Sequence, residues 1–376
     1  MSVPHLEARH VTLDSQSREA LAGVELHGDP LHVLAQLARR GLLRACVPAA
    51  YGGLRDAVEM RDLVVLRFLL GERSGLADTM FAMQGLGSYP VQLAGTEAQK
   101  RALLPGAADG SLVCAFAITE PDAGSDVGSM QTRAERRGEE WVLNGTKTFI
   151  SNAGLAHRYV LFARTSEDRK RGISAFLVDG DRAGLVVEPL ALLGGHPAGT
   201  LHLRDVVLPA DALVGQQGDG MKLALATLDF FRATVGAAAA GMGQRALDEA
   251  RSRVKTRVQF GKPIAEHQAT QLAIAEMAVD VRAARLLCLD AAETADLGAA
   301  QGGDPREAAQ KAAMAKLFAT EAAQRVVDRA LQLWGGAGLI EGTMVERLYR
   351  EVRALRIYEG TSEIQKLVIA RTELSR

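Results

Sequence analysis

The chain has 376 residues, 48% of them hydrophobic and 24% charged, and a formal net charge of −1. This is the composition of a globular protein of two or three domains with a large core, and it offers no electrostatic case for nucleic acid or an anionic membrane surface. Three cysteines, Cys46, Cys114 and Cys288, lie far apart in apolar sequence and match no metal or redox spacing, so buried thiols in a reducing compartment are expected.

The start, MSVPHLEARH, lacks the basic-then-apolar pattern of a secretory signal. No uninterrupted apolar run approaches the roughly 18 residues of a membrane span, so no span and a cytoplasmic location are expected. The stretch from Asp29 to Leu43 opens with a capping Asp and a Pro, then carries Leu31, Leu34, Leu37 and Ala38 at helical spacing. VPAAYGG, Val47 to Gly53, breaks that pattern, and helical signal returns through Val58 to Leu70 and Met80 to Leu93. The period then changes. EWVLNGTKTFIS, Glu140 to Ser151, holds Asn144-Gly145 between β-prone runs and predicts a hairpin there. YVLFART, ISAFLVDG, LVVEPL and TLHLRDVVLP follow at short intervals, which predicts an all-β segment from Cys114 to Val214. The last part is helical again, with Phe318, Ala322, Val326, Ala330 and Trp334 on one face. Asp304, Pro305 and Glu307 form a helix-start pattern after the AAQGG turn, and Ser362 and Gln365 have capping-box spacing before the final helix. The order predicts an α+β chain of three domains: helical over 1–113, β barrel or sandwich over 114–214, and a helical bundle over 215–376.

Two glycine patterns mislead. GMGQRA, Gly241 to Ala246, has dinucleotide-fingerprint spacing but sits between helix-like segments, so close helix packing is expected rather than a Rossmann turn. GGAGLIEG, Gly335 to Gly342, follows a helix instead of a strand and fails the same test. The eight histidines include no HExxH and no His-Cys grouping, and GxSxG is absent, so neither a metal centre nor a serine nucleophile is expected.

Five polar or glycine-rich stretches remain: FAITEPDAGSD, FISNAG, TRVQFGKPIAEHQ, QLWGGAGL and RIYEGTSEIQ. Each alone is explained by turn chemistry or helix ends. Together and in this order, with GLLRACVPAAYGG, LGSYPVQLAGTEAQK and LDFFRATVGAAAAGMGQRALDEA, they give a chain that resembles an acyl-CoA dehydrogenase over nearly its full length.

That resemblance implies FAD held between the β domain and the C-terminal helices, partly by a neighbouring subunit. By motif position Phe116, Ile118 and Thr119 should lie along the flavin, Ser125 nearer its phosphates, and Phe149 and Ser151 on the other side. Phe149 and Ser151 stand where the family often has Trp and usually has Thr, so ring and hydroxyl are kept. Arg257, Gln259 and Phe260 match the segment that reaches FAD from a neighbouring subunit, with Ile264, His267 and Gln268 as further contacts. Gln332, Gly335 and Gly336 match the contact to the adenosine side, and Thr361 and Glu363 the last cofactor loop. Asp229 and Arg232, three apart on one helix face, match substrate-side positions, although an internal ion pair competes. Tyr358 and Gly360 flank the catalytic position, Glu359. The implied reaction is α,β-dehydrogenation of an acyl thioester. Glu359 takes the α proton, flavin N5 the β hydride, and the thioester oxygen bonds the Glu359 N–H and the FAD ribityl chain. A free Glu, with a pKa of roughly 4.3, is a weak base, and apolar cover from Ile357, Tyr358 and Trp334 would raise it toward the useful range of about 6 to 7. An electron-transfer flavoprotein as acceptor and a homotetramer are implied as well. An acyl-carrier-protein substrate, a flavin oxidase or monooxygenase on the same fold, and a non-catalytic helical interaction protein are the alternatives. The residues leave acyl chain length and branching open.

Overall fold

The computed structural model describes residues 5–169 and 171–375. Five helices come first: α1 (Ala8–Ala20), α2 (Pro30–Arg39), α3 (Met60–Arg73), α4 (Gly75–Ala94) and α5 (Glu97–Asp109). Eight strands follow: β1 (Cys114–Ala117), β2 (Arg133–Arg137), β3 (Glu140–Ser151), β4 (Arg158–Arg164), β5 (Ile173–Asp179), β6 (Leu185–Leu190), β7 (Ala198–Pro209) and β8 (Leu213–Val214). Helices α6 (Gly220–Thr256), α7 (Gln268–Gln301), α8 (Pro305–Trp334), α9 (Met344–Val352) and α10 (Ser362–Glu373) complete the order, with the small ribbon β9 (Val258–Gln259) and β10 (Lys262–Pro263) between α6 and α7. The succession is helical, β, helical, and its strands from β1 to β8 span Cys114 to Val214 as expected.

By contacts the chain groups into two compact units. One joins Val24–Val58 to Thr79–Asp229; the other joins the stretch ending at Gly23, Glu59–Asp78 and everything from Phe230 onward. The physical reason is α3, which is buried from Met60 to Gly71 and gives Met60, Val64 and Phe68 to a core shared with Ala233, Ala237 and Ala240 of α6 and Ala312, Ala315 and Ala319 of α8.

In the first unit the sheet runs β6-β7-β3-β2-β4-β5-β8, with β1 parallel on β4. Two buried glutamines dock helices on it. Gln84 of α4 donates to Ala107 O and Leu112 O and accepts from Cys114 N, which fixes the start of β1. Gln99 of α5 donates to Asp211 O and Leu213 O beside β8. The hairpin expected at Asn144-Gly145 is not there: β3 runs unbroken through both residues, and the turn lies instead between Arg137 and Glu140. Asn144 exchanges two hydrogen bonds with Asp205 on the facing strand (2.8 and 3.0 Å). At Gly145 the register with β7 shifts, and a Cβ there would lie 2.5 Å from Thr132 Oγ1. The Asn-Gly pair therefore serves a bulge and a close strand approach instead of a turn.

The helical unit is packed through small residues. A Cβ on Gly241 would lie 2.0 Å from Phe68 O, and one on Gly71 would lie 2.3 Å from Ala238 O, so α3 and α6 cross with their backbones nearly touching. This is the role expected of the GMGQRA glycines. Helix starts follow the sequence at Asp29 and Asp304, whose carboxylates accept from Leu31 N and Arg306 N. Glu307 lies beside Lys311 (3.8 Å), with no capping box at that helix start. Within α2, Val33 is buried where Leu31 was expected, and Leu31 faces solvent. The α10 start differs by one residue: Thr361, not Ser362, is the cap, and Gln365 turns away to other partners. All three cysteines are buried. Helix α6 is long and apolar enough to cross a membrane, yet 72% of its apolar window is buried, as a core helix requires.

Gly241→Ala should lower the stability of the helical unit by about 1–3 kcal/mol, because backbone atoms cannot yield as a flexible side chain can. An unchanged urea midpoint for that variant would contradict so close a crossing.

Candidate active site

After α9 the chain makes a short 3-10 turn, Arg353–Arg356, then the loop that ends at the Thr361 cap. In that loop Glu359 has φ +52° and Gly360 φ +89°. A left-handed Glu costs about 1–2 kcal/mol relative to its right-handed form, so the surroundings must hold it. They do so by hydrogen bonds. Lys316 Nζ donates to Tyr358 O (2.7 Å) and to Gly360 O, the carbonyls on either side of Glu359. Gln365 Nε2 also donates to Gly360 O (2.8 Å), and Arg232 Nη1 donates to Gln365 Oε1 (2.6 Å). Gly360 has no room for a side chain, since a Cβ would lie 2.7 Å from Gln365 Nε2. Glu321 anchors the flanks, accepting from Arg356 Nε and Ser362 Oγ.

Part of Glu359 reaches the surface, but its Oε2 is covered and accepts no hydrogen bond. Burial pushes the carboxyl above the ordinary carboxylate range. Arg67, Lys316 and Arg232 pull it down, and Asp78 pushes it up. Each cation is already committed elsewhere. Arg67, fully buried, makes a two-pronged ion pair with Asp78 (2.8 and 2.7 Å) and donates to Thr234 Oγ1. Arg232 holds Gln365, and Lys316 holds the carbonyls. The result is a carboxylate biased by positive charge but left with an open lone pair, the condition a general base needs. Tyr358 packs on the helical core, and burial raises its phenol well above the ordinary value.

Arg67, Asp78, Lys316 and Gln365 were not anticipated. A signal was present for two of them: Arg67 is a lone charge in LVVLRFLL and Lys316 a lone cation in AAMAKLFA, and isolated charges in apolar helical runs are buried only when partnered.

The other expected residues fall into groups. In the β unit, Thr148 N donates to Thr119 O, which brings the Phe116–Thr119 and Phe149–Ser151 stretches side by side. Beneath them Lys147 Nζ donates to Ile118 O and pairs with Glu120 (2.8 Å), whose carboxylate also accepts from Gln131 N and Thr132 N. This buried pair closes the 120–132 loop on which Ser125 lies exposed. Phe116 and Ile118 are buried, Thr119 and Ser151 half-buried. Phe149 sits at a register shift with φ +56° and is 60% exposed.

In the helical unit, Arg257 and Gln259 lead exposed into the β9–β10 ribbon, and the Arg257 side chain has no partner among the described residues. At its tip Phe260 has φ +52° and is 94% exposed, edge-on to His267. Ile264 and His267 are half-buried and Gln268 exposed. Gln332, Gly335 and Gly336 are exposed at the end of α8, with nothing within 4 Å of where either glycine would carry a Cβ. Thr361 caps α10, and Glu363 is exposed in its first turn, its carboxyl held low by backbone and Thr361 hydrogen bonds. Asp229 is half-buried on α6. Phe149, Phe260 and Glu359 are three of the six non-glycine residues with positive φ among the described residues, and such strain collects where a ligand dictates side-chain direction. An outward aromatic ring beside strand-end hydroxyls suits a flavin; an unpaired guanidinium and an open glycine turn suit its phosphates. The residues present fit the expected cofactor. No metal is expected, and His10, Glu59 and Asp62 form the one close His-carboxylate group among the described residues. Its His10 Nδ1 accepts from Glu7 N, which leaves Nε2 to donate to Glu59.

Comparison with known proteins agrees along the whole chain. Residues 13–111, 115–206 and 218–374 match the N-terminal, middle and C-terminal domains of acyl-CoA dehydrogenases. Over 349 residues the chain is 38% identical to the probable acyl-CoA dehydrogenase FadE25 of Mycobacterium tuberculosis, covering 92% of this chain and 88% of that one. Butyryl-CoA dehydrogenase from Megasphaera elsdenii superposes with a TM-score of 0.91 at 29% identity, over 100% of both chains. An acyl-CoA dehydrogenase from Bacillus anthracis, solved complexed with FAD, gives 0.91 at 27% identity over 100% of this chain and 68% of that one. With all three domains matched in order around the loop that carries Glu359, the chain belongs to the acyl-CoA dehydrogenase family.

Proposed function

We propose that this oxidoreductase is an FAD-dependent dehydrogenase that introduces the α,β double bond of an acyl-CoA thioester, with Glu359 as the base. Glu359 Oε2 carries the reading: it is covered, unpartnered and raised above the ordinary carboxylate range. Such an oxygen can accept a proton from a carbon acid near neutral pH, where a solvated Glu is already too weak a base. The same residue offers a second group. Among the described residues the Glu359 amide N–H meets no acceptor, so it remains available to a developing enolate oxygen. The left-handed backbone lets one residue present amide and carboxylate to one ligand, and Gly360 keeps the chain thin there. When bound, the flavin supplies the two-electron acceptor for the β hydrogen. Phe149, Ser151 and the Phe116–Thr119 strand end would cover its ring, and Arg257 and the Gly335–Gly336 turn of a neighbouring copy would meet its phosphates. That arrangement makes the working form an oligomer, a homotetramer in this reading, with an electron-transfer flavoprotein as acceptor.

Glu359→Gln should retain flavin and fold but lose turnover by about 10²–10⁴-fold, the usual worth of a positioned base. Near-normal anaerobic flavin bleaching by an acyl-CoA in that variant would sink the assignment. In the unsubstituted enzyme the base works only when deprotonated. Because its pKa is raised, kcat/KM should begin to fall, on lowering the pH, well above the ordinary carboxylate value of about 4.3; an acid limb at that value would contradict the burial argument. Arg257→Ala removes a charge-assisted contact of about 1.5–3 kcal/mol, so flavin should dissociate more readily. Equal flavin content after gel filtration would count against its role.

A further inference from the structure

Resting on Glu359 as the base, we propose that Lys316 is its positioning residue: the ammonium clasps the two carbonyls that flank Glu359 and so fixes the backbone that aims the carboxylate. Lys316 is 1% exposed on α8, among Ala312, Ala315 and Ala319. A buried ammonium is expensive unless its donors are used. Here they are spent on Tyr358 O and Gly360 O, and Lys316 makes no ion pair with Glu359 itself. That distinction carries the inference. A direct ion pair would occupy the lone pair that must take the proton, whereas a clasp one residue to either side fixes the loop and leaves Oε2 open. Lys and not Arg suits the task, because a compact ammonium can bond two carbonyls at one point.

The clasp is also sensitive to pH. Burial and the nearby Arg232 of α6 hold Lys316 down to about 8, and Glu359 opposes them. The charged or titratable groups around the loop are Arg67 of α3, Asp78 of α4, Arg232 of α6, Glu321 of α8, Arg356, Tyr358 and Glu359, with neutral Gln365 of α10 on the same carbonyl. As the pH rises through about 8 the ammonium loses its proton, the clasp weakens, and Glu359 loses a neighbouring cation. Activity should therefore fall on the alkaline side without any change in the base's own charge.

The test uses the flavin-loaded full-length enzyme, with Lys316→Met, Lys316→Arg and Glu359→Gln compared by anaerobic reduction with an acyl-CoA across pH. Lys316→Met should lower kcat by about 10- to 100-fold through misplacement of the base, with KM and flavin content little changed. Its acid limb should move to higher pH, because a cation that lowered the Glu359 pKa is gone. Lys316→Arg should recover part of kcat and lose the alkaline limb, since a guanidinium does not titrate there. Unchanged kcat in Lys316→Met would overturn the proposal. So would a loss of kcat with both limbs in their original places and no recovery by Arg, the pattern of a packing defect. Should Lys316→Met fail to fold, the alkaline limb of Lys316→Arg decides alone: present as before, it overturns the proposal. Full activity in Glu359→Gln would instead remove the base itself, a result distinct from any of these.

Discussion

Charge in a dry interior is the constraint on which the helical unit turns. Arg67, Asp78, Arg232, Lys316 and Glu359 are drawn together among alanines and glycines, and each charge taken from water must be repaid by specific bonds. Arg67 and Asp78 are held by each other and Lys316 by carbonyls, and Arg232 reaches Gln365 through Nη1. The one oxygen left without a bond is on Glu359. The structure bonds the carbonyls on both sides of Glu359 and leaves its Oε2 open, which places the cost where chemistry can use it.

Small residues make this arrangement possible. The α3–α6 crossing through Gly71 and Gly241 brings backbones into contact, and the shared core is mostly alanine. Close-set helices have little freedom to slide, so a polar atom fixed to one is fixed relative to the others. The β unit uses the same economy on a smaller scale. One buried pair, Lys147 and Glu120, ties two strand ends and a long loop, so that Phe149 can sit on a bulge facing outward. In both units a buried lysine donates to backbone carbonyls, Lys147 to Ile118 O beside its ion pair and Lys316 to Tyr358 O and Gly360 O.

Most of the architecture could be read in advance because it rests on period and punctuation. The switch from helical to alternating pattern at Cys114 and back after Val214 reflects which faces must be buried, and burial decides the fold. Local chemistry was read less well where tertiary partners intervened. Asn144-Gly145 has the composition of a turn, but Asp205 on β7 and Thr132 just before β2 claimed it for a bulge. Ser362 has a capping pattern, yet Glu321 took its hydroxyl and left Thr361 as the cap. Glu359 stood out through its motif. Arg67 and Lys316 did not, because the loop lies 42 residues or more from either in sequence and only the folded chain brings them to it.

The discontinuous makeup of the helical unit also orders events during synthesis. Residues through Asp229 contain everything the β-containing unit needs, so it can close while the rest of the chain is still on the ribosome. Helix α3, buried along nearly its whole length, has no such early shelter. It must wait, apolar surface and Arg67 included, until α6 and α8 emerge. The nascent chain is then most exposed to aggregation before the Glu359 loop exists, and that interval is when a holding chaperone would matter most.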